Sequence, residues 1–185
     1  NQKTDSPRCG NSLSNSVYNK TRYNHLYNKL GVAYKTKDYG NVEFFVDDNK
    51  YNYYYNSVVY DNLGNISVPN AINDRINNLG GTYTYFAKNV VAKLLVSNAI
   101  SDQSISNIEA NATYILNEDY NFSFEYQKQN SLPALNYTLY QSNYIDYNWS
   151  NNFKNEKLNQ FKIAANTKWI DLSFNYKIIN DYLYF

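Results

Sequence analysis

The chain has 185 residues, with 17 lysines and arginines against 16 aspartates and glutamates, and a single histidine. This length allows one domain with a core of its own or one modest barrel, and the balanced charge gives a nucleic-acid partner little support. A single cysteine, Cys9, excludes an internal disulfide and a zinc site built from cysteine and histidine.

Strand signals begin soon after the start of the chain. Residues 1–22 lack a hydrophobic period, so we expect an irregular segment there and a β-barrel region over 23–185. A tight turn is predicted at 37–40, and an alternating arm follows it and runs into the tyrosine-rich segment 50–56. Tyrosine is typical of the boundary between membrane and water, although a strand in a soluble core is the alternative.

The middle of the chain contains the longest irregular region of the predicted pattern, a long loop over 61–80. Ile72, Arg75, Ile76 and Leu79 have the spacing of a short helical turn within it. Strands are predicted again at 82–87 and 90–97, separated by a turn at 88–89. Later we expect a loop at 129–135, extended segments at 137–140 and 143–149, and a strand at 158–165.

The clearest alternation runs through 107–116, 120–127 and 170–178. Successive side chains of a strand point to opposite faces, so these segments predict a sheet with one hydrated and one apolar face, as in a barrel with lipid outside and water inside. The residues predicted to face the lumen are Lys93, Asn107, Glu109, Asn111, Thr113, Asn121, Ser123, Glu125, Gln127, Asp171, Ser173, Asn175 and Lys177. Those predicted to face lipid are Ile108, Ala110, Ala112, Tyr114, Leu116, Phe122, Phe124, Tyr126, Ile170, Leu172, Phe174 and Tyr176.

Together the elements predict an all-β fold, an antiparallel up-and-down transmembrane β-barrel or part of its wall, with about eight to ten strands. A spanning strand needs only about ten residues, half of them apolar, so a hydrophilic average does not exclude a membrane. Such strands must form a closed barrel, because no backbone polar group can stay unpaired in lipid.

Several of these segments resemble a known family. The stretch 23–60, which contains Asn28-Lys29-Leu30-Gly31 and 39–45, is similar to the porins of Bacteroidetes-type outer membranes, as are 142–144, Trp149, 152–153 and 175–185. The resemblance implies an outer-membrane location and passive diffusion of small solutes through a polar lumen. It further implies contact with outer-membrane lipid, the barrel-insertion machinery and other outer-membrane proteins, and no cofactor. Because members of that family are longer, it implies a partial barrel wall.

The last residue, Phe185, admits two interpretations. A terminal aromatic after an alternating strand resembles the signal by which outer-membrane barrels are recognised for insertion. In a fragment of a larger porin, it marks only where the sequence stops. We expect the fragment.

Other chemistries have weaker support. His25 is the single imidazole, and nothing beside it resembles a nucleophile motif, so we expect no enzyme. The oxygen-rich cluster at 47–49 fits a polar strand end better than a cation site. Two alternatives to a channel remain: a structural or adhesive barrel whose 48–79 loop acts outside the cell, and a soluble lipocalin-like or β-sandwich binding protein. The soluble protein would bury Tyr114, Phe122, Phe124 and Phe174 in a core.

Overall fold

The structure is a computed structural model and describes residues 10–12 and 19–184. Cys9, most of the segment predicted to be irregular at 1–22, and Phe185 lie outside the described residues. The described chain is all-β and antiparallel, with one single-turn helix at Leu135–Thr138. The predicted all-β, antiparallel fold class is therefore confirmed, and closure into a transmembrane barrel stays a prediction. Among these residues, no helix has the length and hydropathy needed to cross a bilayer.

Eight strands form the main sheet, within the predicted eight to ten. They lie side by side in the order in which they occur along the chain, and the first and last of them are the two end strands. The bounds are β1 (Arg22–Lys35), β2 (Asn41–Tyr54), β5 (Ala71–Phe86), β6 (Val90–Ala99), β7 (Ser106–Asn117), β8 (Tyr120–Ser131), β11 (Glu156–Asn166) and β12 (Asp171–Asn180).

The connections of the sheet differ in length between its two ends. Tight turns at 36–40, 87–90, 117–120 and 167–170 join strands at one end. The first of them needs Gly40, which has φ +83° and whose missing Cβ would lie 2.2 Å from the carbonyl oxygen of Thr84. At the other end the connections are longer, at 55–70, 100–105 and 132–155, an asymmetry that is typical of membrane barrels.

The chain divides into two compact units. Of the described residues, we call 27–49, 76–132 and 155–184 the sheet unit, and 10–12, 19–26, 50–75 and 133–154 the connection unit. The connection unit contains the short ribbons β3 (Val59–Tyr60) with β4 (Ile66–Val68), and β9 (Leu139–Tyr140) with β10 (Trp149–Ser150).

The connection unit has its own small core. Leu139 is fully buried and packs with Tyr55 and Val68. Beside them Gln141 is 4% exposed, and its side-chain amide donates to the carbonyl of Pro69 at 2.7 Å while its Oε1 accepts from Ser57 at 3.1 Å. A buried amide satisfied in this way ties the two ribbons together without the cost of an unpaired polar group.

Aromatic stacking and a closed turn complete the connection unit. The rings of Tyr140 and Trp149 stack with centroids 4.6 Å apart. The side chain of Asn148 closes the preceding turn, since it donates to the carbonyl of Tyr144 at 2.6 Å and accepts from the amide of Ser142 at 2.9 Å. This turn explains why the extended segment predicted at 143–149 is wrong.

The structure also corrects the predicted long loop at 61–80. Most of it belongs to β4 and β5, so the expected helical turn through Ile72, Arg75, Ile76 and Leu79 is wrong. The irregular part is therefore shorter, and β5 lies between β2 and β6 in the sheet. The loop predicted to begin at 129 begins only after β8 ends at Ser131. The strand predicted at 158–165 is confirmed within β11.

Candidate functional site

The cross-strand register places the predicted lumen residues on one face of the sheet. Partners in an antiparallel pair share a face, and here Lys93 pairs with Asn111, which pairs with Glu125. Glu125 pairs in turn with Lys162, and Lys162 with Asn175. One polar row thus crosses five strands. The same register brings all thirteen residues predicted to face the lumen to this side, which we call the polar face.

Side chains on the polar face pair with one another between strands. The ammonium of Lys162 lies 3.3 Å from a carboxylate oxygen of Glu125. The amide of Gln160 donates to Asn175 at 3.0 Å. Both pairs are exposed, so each contributes little to stability and leaves its charge or amide available to water.

The polar face continues onto β1, β2 and β5 through residues that the sequence did not single out for the lumen. Lys29 and Glu43 form an ion pair at 2.8 Å, and the hydroxyl of Thr82 donates to Glu43 at 3.3 Å. Asp47, which the sequence placed in a polar strand end, accepts from the amide of Asn78 at 2.7 Å and is 7% exposed. The alternation of charge and apolar residues along β2 could have identified Glu43 and Asp47.

Phe45 is an aromatic residue of this face. Phe45 is 6% exposed, and the ammonium of Lys29 is 4.0 Å from its ring centroid. The ring occupies space left by Gly80, where an added Cβ would come 2.4 Å from the ring Cζ. Phe45 therefore adds a bulky, rigid group to a face that is mostly polar but also carries Phe86, Val91 and Leu95 by register.

The opposite face, which we call the apolar face, is largely uncovered. Phe124 pairs with Ile163, and Ile163 with Phe174, yet their exposed fractions are 37%, 45% and 59%. The predicted lipid-facing residues share this face by register, except two. Leu116 lies at a β-bulge of β7, and Ile170 lies in the turn before β12. That this face meets lipid stays a prediction.

The exposure of the apolar face is relevant to the soluble alternatives. A binding protein with an apolar core would bury Tyr114, Phe122, Phe124 and Phe174, whereas they are 37–59% exposed. Exposed apolar patches of this extent on soluble proteins mark interaction surfaces. These four rings therefore lie on an uncovered face of the sheet and not in a core.

The residues considered for other chemistry are not brought together. His25 lies on β1 and stacks with Tyr23 at 5.9 Å. Within residues 10–12 and 19–184, no three histidine, cysteine or carboxylate side chains are grouped so that they could hold a metal ion.

Comparison with known proteins identifies one family. The model of the family described as "Putative porin" matches residues 1–185, which is the whole chain. No curated protein and no solved structure matches significantly.

Proposed function

The chain belongs to the porin family described as "Putative porin", and from that membership we propose that it contributes to an outer-membrane channel through which small solutes diffuse passively. The observation that supports this proposal best is the separation of the two faces by the cross-strand register. One face has paired charges and amides, and the other has exposed phenylalanine, tyrosine and aliphatic residues. A wall of this kind suits lipid on one side and water on the other.

The proposed mechanism is diffusion past the polar face, without a bound cofactor or a chemical step. Lysines and carboxylates both occur there, among them the pairs of Lys29 with Glu43 and of Lys162 with Glu125. Rings of fixed charge select ions by sign, so a mixture of signs favours weak selectivity and passage of small polar solutes.

The proposal requires a partner for each end strand. Unpaired backbone groups of β1 and β12 would be costly in lipid, so both strands must pair within the assembled barrel. They pair with each other or with further strands of the barrel. We also propose that insertion depends on the barrel-insertion machinery, and that other outer-membrane proteins are potential partners.

Conductance across a planar bilayer that contains the intact protein tests this proposal. We expect stepwise current, and we expect Lys162→Gln to shift selectivity toward cations because it leaves the charge of Glu125 uncompensated. Glu125→Gln should shift selectivity toward anions. Lys168→Gln removes the same charge as Lys162→Gln, but from an exposed turn, and is the matched control. Absence of current from folded protein would contradict the proposal.

A structural or adhesive barrel without a channel is the second candidate. The observation that favours it is the number of strands, because about eight strands close around an interior just wide enough for side chains to fill. Phe45 is the kind of side chain that would fill it. In the same experiment, folded and inserted protein that carries no current would support this candidate.

A further inference from the structure

The apolar face changes character toward the end of the sheet with the long connections. Three successive cross-strand rows on β8, β11 and β12 are apolar. Counted from the tight turns, the third row consists of Tyr126, Phe161 and Tyr176. The next row places Lys128 opposite Asn159, with Ile108 of β7 and Ile178 of β12 on either side of them. The row after it is formed by Asn130, Lys157 and Asn180, so hydrophobic residues give way to lysines and amides on one continuous surface.

At the opposite end the same face terminates in aromatic residues. Tyr120 and Trp169 make an edge-to-face contact with centroids 6.4 Å apart, beside the tight turns. From Tyr120 to Lys128 the strand advances eight residues, or about 27 Å at ~3.4 Å per residue. With barrel strands tilted by about 35–45°, this length rises about 19–22 Å along the membrane normal, slightly less than an apolar band of roughly 25 Å. The two lysines thus lie at one border of the band.

Lys128 and Lys157 are close enough to share one ligand. They occupy diagonal positions on the paired strands β8 and β11, a placement that separates residues by about 7–8 Å. Both are exposed, and they line a shallow groove together with Ser106, Asn130, Asn159 and Asn180. Lys157 also makes an ion pair with Asp181, whose Oδ2 lies 3.8 Å from the Lys157 ammonium, so a phosphate would share this lysine with a carboxylate.

We infer that Lys128 and Lys157 bind the phosphate of a lipid headgroup in the leaflet beside the long connections. Two ammonium groups with amides around them suit a phosphate, and the adjoining apolar rows suit the acyl chains of the same molecule. Long connections lie outside the cell in outer-membrane barrels, so the leaflet is the outer one. The inference rests on the proposed outer-membrane location but does not require a channel.

Lipid retention by the intact protein tests the inference. The protein would be placed in phosphatidylcholine nanodiscs with phosphatidic acid as a minor component, and the bound lipid would be counted by native mass spectrometry. We expect phosphatidic acid to be retained over diacylglycerol, which has the same chains without the phosphate. Lys128→Gln with Lys157→Gln should weaken retention at least about tenfold, since two charge-assisted hydrogen bonds are lost.

Matched variants separate loss of the site from loss of the fold. Lys88→Gln with Lys168→Gln removes the same charge at the tight-turn end and should retain phosphatidic acid like the wild type. Arginine at positions 128 and 157 should preserve retention. Equal retention by the glutamine pair and the wild type would overturn the inference, as would retention of diacylglycerol equal to that of phosphatidic acid.

Two further measurements identify the source of the phosphate and show whether a negative result rejects the lipid site or the channel. Inorganic phosphate that binds as tightly as phosphatidic acid would show a site for a free anion, and would overturn the assignment to a lipid. Conductance of the same samples should be unchanged in every variant, because these lysines lie on the apolar face. Current without lipid selectivity would reject only this inference, whereas lipid selectivity without current would reject only the channel.

Discussion

The connection unit and the sheet unit use the same aromatic-rich composition in opposite ways. In the connection unit, Leu139 is fully buried and Tyr55 is 5% exposed. In the sheet unit, Leu172 and Phe174 remain 62% and 59% exposed. The first unit is organised as a small water-soluble core is, with apolar groups away from solvent. The second displays its apolar groups on an uncovered surface. Membership of the porin family suggests that lipid covers this surface.

The largest expected effect is at the core of the connection unit. Leu139→Ala should lower the free energy of unfolding by about 2–5 kcal/mol, because it leaves a cavity that the ribbons cannot fill. Denaturant titration followed by the fluorescence of Trp149, in a Trp169→Phe background, measures this change. Leu63→Ala, at a side chain 86% exposed, should change it by less than about 0.5 kcal/mol. Equal effects at the two positions would contradict the soluble-type core.

A lysine placed on either face of β12 tests whether the apolar face and the polar face of the sheet unit meet different environments. Phe174→Lys places an ammonium on the apolar face and should destabilise the protein in phospholipid vesicles by about 2–4 kcal/mol. Ser173→Lys is one residue away on the polar face and should have little effect. Both side chains belong to β12 and are exposed, so a similar loss from both variants would show that the faces do not differ in environment.

The contact of Phe45 with Gly80 tests packing within the polar face. Gly80→Ala would bring a Cβ to 2.4 Å from the ring, so we expect a loss of about 1–3 kcal/mol from overpacking. Denaturant titration in detergent micelles would measure it. Phe45→Leu in the Gly80→Ala background should recover part of the loss, and no recovery would show that the ring is not the obstacle.

The smallest expected effect concerns a turn of the connection unit. The carboxylate of Asp61 accepts hydrogen bonds from the amides of Asn65 and Leu63, both at 2.8 Å, and the pKa of Asp61 is lowered, chiefly by the backbone of Asn65. A lowered folded-state pKa stabilises the turn above the unfolded pKa, and this contribution disappears as pH falls through the folded pKa. Hydrogen exchange at the amides of Leu63 and Asn65 should therefore lose protection in acid, beyond the intrinsic change in exchange rate. Asp61→Asn should remove the pH dependence.

The sequence was most informative where the strands alternate strictly. Residues 107–127 and 171–178 show their two faces by parity alone, and the observed register places those faces as the alternation predicts. The porin family was identified mainly from other segments, namely 23–60, 142–144, Trp149, 152–153 and 175–185, and it is confirmed. Periodicity of two is a local property, so it needs no knowledge of distant contacts.

The strand β5 shows where local patterns fail. Asn73, Asp74, Asn77, Asn78 and Gly80 are typical of turns, and they led to a predicted loop. Two of them have strand partners instead, since Asn78 bonds to Asp47 and Gly80 gives room to Phe45. These contacts join residues more than thirty positions apart, and only the folded sheet brings them together. Lys29 joins the polar face through its ion pair with Glu43 on the neighbouring strand, a contact that only the folded sheet shows.

The most direct test of the account is the environment of two adjacent positions on β8 in membranes. Spin labels at Phe124→Cys and Glu125→Cys, each in a Cys9→Ser background, would be examined for collisions with oxygen and with a water-soluble nickel complex. We expect the label at 124 to collide mainly with oxygen, as in lipid, and the label at 125 to collide mainly with the nickel complex. A label at 124 that neither reagent reaches, or two labels with the same preference, would contradict a wall between lipid and water.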